Sequence, residues 1–141
     1  MPIDYYIDHA RRLVVAQGRG VLADTEVFAY QQEVWTQPEV AGYDELVDMT
    51  EVEEIAAPVP AGPRLQQLAA LAAAQDPPAG PGKLAIAAPS SLAFGLVREY
   101  QAYRELNVHS KKQVGVFHTL AEALSFLGID TLEEQESRRT R

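Results

Sequence analysis

Six residues with side chains suited to chemistry fall where short apolar runs end: Asp48, Thr50, Ser90, Ser91, His118 and Thr119. If those runs are strands of a parallel sheet, all six lie at strand C-terminal ends, where open α/β sheets place their ligands. Asp48, Thr50, Ser90, Ser91 and His118 are therefore a candidate ligand or partner crevice. A hydroxyl, an imidazole and a carboxylate are also the parts of a nucleophilic relay, which makes Ser90, His118 and Asp48 a candidate hydrolase set. Ser90, however, follows Ala87-Ala88-Pro89 and lacks the G-x-S-x-G setting of a nucleophile elbow. The plainer reading makes Ser90, Ser91 and Thr119 helix caps and His118 a strand-end surface residue. No catalytic residue is assigned.

The acids Asp44, Glu45, Asp48, Glu51, Glu53 and Glu54 offer oxygen atoms to Mg²⁺ or Ca²⁺, but without the alternating Asp/Asn and central glycine of a calcium loop. Solvated charge is the expected role, and no metal site is assigned. Gly18-Arg19-Gly20 lacks the third glycine and the lysine of phosphate-binding fingerprints, so no cofactor is expected either. The chain has no cysteine, which excludes disulfides, thiolate nucleophiles and cysteine-held metals.

Charge narrows the partners. Twenty acidic residues against twelve basic ones give 141 residues a net charge of −8, the wrong sign for neutralising nucleic-acid phosphates. Between positions 20 and 63 lie ten acidic residues and no Lys or Arg, whereas Arg98, Arg104, Lys111 and Lys112 come later. The domain is expected to be electrically lopsided. No window approaches the roughly 18 apolar residues of a membrane span, and the first residues have no signal-peptide character. A cytoplasmic protein without membrane insertion is the expectation.

The elements that must position these residues can be read in order. Residues 1–7 and 12–17 form an antiparallel hairpin, with Gly18 and Gly20 closing the second strand. Asp24 caps a helix with Val27, Phe28, Gln31, Val34 and Trp35 on its buried side, leaving Tyr30 off the stripe. Residues 46–49 form a strand. Pro63 starts a second helix with Leu65, Leu68, Leu71 and Ala72 inside. The apolar run 83–88 reads as the central strand. Ser90 or Ser91 caps a third helix with Leu92, Leu96, Tyr100 and Tyr103 at helical intervals. Residues 114–117 are the last strand, and Thr119 with Glu122 makes a capping box for a final helix that Gly128 ends. The expected fold is a single α/β domain over residues 1–129: a small, mainly parallel five-stranded sheet with an antiparallel N-terminal edge strand, flanked by about four helices. Residues 130–141 are expected to be a disordered polar tail.

That order, with Arg12-Leu-Val-Val, Glu45-Leu-Val-Asp-Met-Thr50, Lys83-Leu-Ala-Ile-Ala and Val114-Gly-Val-Phe-His-Thr-Leu-Ala-Glu-Ala-Leu124, resembles the STAS-like superfamily of anti-sigma-factor antagonists, also called SpoIIAA-like, over residues 1–129. The resemblance implies a small sheet flanked by helices and action by binding partner proteins. It also implies a phosphorylatable serine at the start of the helix after the third strand, but residues 55–62 contain no Ser, Thr or Tyr. Thr50 is the nearest hydroxyl, and added negative charge beside Asp48, Glu51, Glu53 and Glu54 would be repelled.

The expectation is a non-enzymatic interaction module without the serine phosphoswitch, binding a protein partner or a second copy of itself as a homodimer. Its candidate acidic face is Tyr30, Asp44, Glu51, Glu53 and Glu54. The rival is a carrier of a small apolar ligand or lipid, laid out as in proteins of the CRAL-TRIO type, with Leu65, Leu68 and Leu71 around a cavity.

Overall fold

Alternation along the strands divides the apolar residues between two faces of one sheet, and that division decides where every helix packs. The computed structural model describes residues 3–57, 61–76, 82–107 and 112–130. Five strands, β1 (Ile3–Asp8), β2 (Leu13–Ala23), β3 (Asp44–Ala56), β4 (Lys83–Ala87) and β5 (Gln113–Phe117), lie side by side in chain order. Only β1 runs antiparallel to its neighbour. The mainly parallel sheet with an antiparallel edge is as expected, although β3, not β4, is the middle strand. β4, one strand from the middle, is buried all the same, because β3 and β5 cover its edges and helices cover its faces.

Three helices, α1 (Asp24–Trp35), α2 (Gly62–Gln75) and α3 (Ser91–Glu105), connect successive parallel strands and cover one face. Val14, Ala16, Met49, Leu84 and Ile86 point toward them. The opposite face, with Leu13, Val15, Leu46, Ala85 and Ala87, is covered by α4 (Leu120–Leu127) through Ala123, Leu124 and Leu127. A small residue permits that close approach: a Cβ on Gly115 would meet the Phe126 ring of α4 at 3.2 Å. As the sequence implied, Thr119 caps α4 and Gly128 ends it with a left-handed backbone at φ 75°.

Several expected boundaries shift. β2 does not end at Gly18 or Gly20 but runs to Ala23, and β3 continues past Met49 to Ala56. The two strands pair with register irregularities at Gln17/Arg19 and Gly20/Val21, and glycines accommodate such bulges. Asp24 is not the cap of α1: Ala23 holds that position, and the Asp24 carboxylate instead accepts a hydrogen bond from Arg64 Nε at 2.6 Å. On α3 the buried stripe is Ala93, Val97, Tyr100 and Arg104; Tyr100 is as expected, while the others lie one position on from Leu92, Leu96 and Tyr103, leaving Leu92 67 % exposed. On α2 the fully buried residues are Ala69, Ala72 and Ala73, with Leu65 and Leu68 only partly covered. Apart from Asp130, the expected tail lies outside the described residues.

Candidate functional site

The partly covered leucines of α2 face open space. A cavity of about 160 Å³ lies between the sheet and α1, α2 and α3, with walls from Val47, Met49 and Ile86 below and Leu65, Leu68 and Val97 above. Its partly exposed end is bordered by Asp24, Ala57, Ala61 and Arg64. Here the Asp24–Arg64 ion pair joins the first turns of α1 and α2, and the Arg64 guanidinium lies 4.2 Å over the Phe28 ring.

The buried end is polar. Glu45, at the start of β3, Tyr30 and Gln31 of α1 and Tyr100 of α3 all border it, and all are buried. Glu45 Oε2 accepts from the Tyr30 hydroxyl at 2.6 Å and from Trp35 Nε1 at 3.2 Å. Its Oε1 lies 3.6 Å from Lys112 Nζ, which sits 3.9 Å over the Trp35 ring. Arg104 donates to the Tyr100 hydroxyl at 2.9 Å and pairs with Asp76 at the C-terminal end of α2. Buried charges persist when paired, and each of these two cations has a carboxylate partner, although Arg104 Nε is buried without a hydrogen-bond partner among the described residues.

The environment moves several protonation equilibria. Burial pushes the Tyr30 phenol well above its usual range, and the Glu45 carboxylate adds to the effect. Burial also raises Tyr100, against the opposing pull of Arg104. Burial lowers the Lys112 amine, and Glu45 partly restores it.

The candidate crevice residues are held elsewhere, each by a local role. Asp48 lies between Val47 and Met49 and so turns to the opposite face of the strand. Its Oδ1 accepts from Thr50 N at 2.9 Å and from the Thr50 hydroxyl at 2.6 Å. Ser90 caps α3 by accepting from Ala93 N at 3.1 Å, and Ser91 is exposed in the first turn. The His118 ring stacks on Phe94 with centroids 3.9 Å apart. Among the described residues, no hydrogen bond joins Ser90, His118 and Asp48, so no relay is assembled from them. Residues 58–60 of the crevice lie outside the described residues.

The candidate acidic face also changes. Tyr30, placed on the contact face by the sequence, is only 7 % exposed, its hydroxyl reaching inward to Glu45. Asp44 leaves the face as well: it sits at the opposite end of β3 and accepts from Lys83 N at 2.9 Å. Glu51, Glu53 and Glu54 are exposed on the β2–β3 ribbon, with Glu51 accepting from Gln17 Nε2 at 2.6 Å. The expected basic cluster is divided, since Arg104 and Lys112 are internal and Lys111 lies outside the described residues. Among the described residues, no three His, Asp or Glu side chains gather as a metal would require.

Sequence reasoning missed Glu45, Tyr100, Arg104 and Lys112 as one unit. One signal was present: Arg104 continues the spacing Ala93, Val97, Tyr100, and a cation on an apolar stripe requires an internal anion.

The element order and sheet topology make this an α/β domain with three helices on one face of the sheet and one on the other, the arrangement of a SpoIIAA-like fold. No family model matches the sequence, and no curated protein matches it. Among solved structures it is similar to an uncharacterized protein of the DUF3478 family, with a SpoIIAA-like fold, from Shewanella loihica PV-4. The two share 14 % identity with a TM-score of 0.54, over 89 % of this chain and 93 % of that one. No helix among the described residues is long and apolar enough to cross a membrane.

Two outcomes follow from these contacts. Ser90→Ala removes a cap and should lower unfolding free energy by about 1 kcal/mol in urea titration, while leaving any p-nitrophenyl acetate hydrolysis unchanged; loss of such hydrolysis would restore the relay. Tyr30 and Tyr100 hold their protons more tightly when folded, so their stabilisation is complete below the unfolded phenol value of 10.0 and is lost as pH rises toward their raised folded values. Lys112 acts oppositely, its burial penalty easing up to the unfolded amine value of 10.5. With two phenols against one amine, the urea midpoint should fall between about pH 10 and pH 12, and Tyr30→Phe should flatten the fall; a flat wild-type profile would contradict the arrangement.

Proposed function

We propose that this protein is a non-catalytic binding module whose cavity between the sheet and α1–α3 receives a small apolar ligand. The observation that carries the reading is the cavity itself: about 160 Å³, walled by aliphatic side chains, open at the Asp24–Arg64 end. The volume sets the ligand class. A dry cavity of roughly 150 Å³ accommodates one benzene-sized ring, so a full lipid chain exceeds the cavity in this conformation. Of the two apolar cargoes expected from the sequence, the small molecule is the better match.

A second reading, contact with a protein partner or a second copy, is favoured by the projecting β2–β3 ribbon. There Val21 is 50 % exposed and Glu51, Glu53 and Glu54 face solvent. This is a smaller surface than the acidic half that the sequence implied, because Asp44, Glu45 and Asp48 are engaged inside.

Toluene titrated into the ¹⁵N-labelled protein should shift amide resonances of β3, α2 and α3. Val47→Phe, which places a ring in the cavity, should abolish those shifts without lowering the melting temperature; wild-type spectra unmoved by saturating toluene would refute cavity binding. Ribbon-mediated self-association should weaken as salt rises from about 50 mM to 500 mM in sedimentation velocity, and charge reversal at Glu53 and Glu54 should alter it. A monomer at every salt concentration would leave no role for the ribbon in self-contact.

A further inference from the structure

An edge strand offers a row of backbone donors and acceptors to any strand that can lie beside it, and folds usually guard such edges with bulges, lysines, prolines or covering side chains. Most edges of this sheet are guarded. On β5, Gln101 of α3 donates to the Val114 carbonyl at 2.7 Å. The β2–β3 ribbon is irregular in register, and its β3 side carries Glu51, Glu53 and Glu54. β1 is different. It is outermost in the sheet, it pairs with β2 in unbroken register from Ile3 opposite Gly18 to Asp8 opposite Leu13, and it contains no Lys, Arg or Pro. Its two acids serve their own chain, Asp4 lying 3.8 Å from Arg19 and the buried Asp8 3.7 Å from Arg11. Ile3, Tyr5 and Ile7 lie on the α1 face: the isoleucines pack against the cluster of Val14, Tyr30 and Val34, and the Tyr5 ring meets the Tyr30 ring at 5.9 Å while remaining 36 % exposed. Asp4, Tyr6 and Asp8 alternate to the α4 face, where Tyr6 packs beside Leu13 and Val15.

We propose that β1 is the contact through which two copies of this chain associate, pairing antiparallel about a two-fold axis at Tyr5 to make one continuous sheet. This surface is separate from both the ribbon and the cavity. The strand's own sequence selects the register. A two-fold axis perpendicular to the sheet keeps the α1 face of one copy beside the α1 face of the other, so opposed residues must come from the same row. The centres that use most of the strand are then Tyr5 and Tyr6. Centred on Tyr6, the axis sets Asp4 of each copy against Asp8 of the other, and like charges directly opposed destabilise a strand pair. Centred on Tyr5, it sets Ile3 against Ile7 and Tyr5 against itself on the α1 face, and Asp4 against Tyr6 on the α4 face. No like charges are opposed there. An axis lying within the sheet would instead place each aspartate of β1 opposite an isoleucine, mixing the apolar row with the charged one.

The test is sedimentation velocity of the whole protein, joined to variants at the axis. Raising the concentration should yield a species of twice the 15.5 kDa chain mass. Each copy has a net charge of −8, and Glu33 of α1 lies beside Tyr5, so salt screens repulsion between the copies. Association should therefore hold or tighten from about 50 mM to 500 mM salt, the reverse of a ribbon contact. Tyr5→Lys and Tyr5→Glu should each be monomeric, because each opposes like charges at the axis, and an equimolar mixture of the two should recover the dimer. The chain has no cysteine, so Tyr5→Cys should cross-link two copies on oxidation with copper phenanthroline, since residues opposed across antiparallel strands have Cα atoms about 4.5–5.5 Å apart. Val21→Cys is the ribbon control. Should the charged variants not fold, the salt profile of the wild type and the Tyr5→Cys cross-link still decide the matter. Cross-linking through Val21→Cys and not through Tyr5→Cys would assign self-association to the ribbon and overturn the β1 contact; a dimer unaffected by either charged variant would overturn the β1 contact as well, and a monomer under every condition would overturn both contacts.

Discussion

Two buried ion pairs, Glu45 with Lys112 and Asp76 with Arg104, set the arrangement of this domain. A charge inside a protein must meet its counter-charge in good geometry or the interior becomes unfavourable for it. Meeting that condition here draws together the C-terminal halves of α1, α2 and α3, the beginning of β3 and the residue before β5. Trp35 and Tyr30 complete the contacts by hydrogen-bonding to Glu45. At the other end of the same helices the Asp24–Arg64 pair is half exposed and joins only α1 to α2. The helices are therefore tied firmly at one end and lightly at the other, and the cavity occupies the space between.

This arrangement gives the ligand site a direction. The open end lies toward the C-terminal side of the parallel strands, where open α/β sheets generally admit ligands. It falls between β3 and the α1–α2 pair, however, and away from Ser90 and His118, which are absorbed by a helix cap and a stacked ring. The buried end carries charges that neutralise one another, Glu45 with Lys112 and Asp76 with Arg104.

The same pairs change what the charge of the chain means. Along the sequence, acids gather before position 63 and bases after it. In three dimensions Glu45 takes Lys112 and Asp24 takes Arg64, so part of that separation is consumed in tying the two halves of the chain together. What remains outside includes Glu33, Glu39 and the Glu51, Glu53 and Glu54 ribbon, where Glu51 is paired with Arg19.

Local patterns were enough for the elements, their order and both caps at Ser90 and Thr119, because a cap, a proline at a helix start and a strand's apolar run act over a few residues. Composition alone excluded cysteine chemistry. Local patterns misplaced the ends of β2 and β3, since two strands extending together stabilise each other through residues far apart in sequence. They also misplaced Tyr30 on α1 and most of the inward face of α3. Tyr30 turns in because Glu45 lies opposite it, and Arg104 turns in because Asp76 does, and neither partner is visible from the helix itself. The cavity belongs wholly to tertiary structure: it is the space left between the sheet and three helices, each with an ordinary apolar stripe.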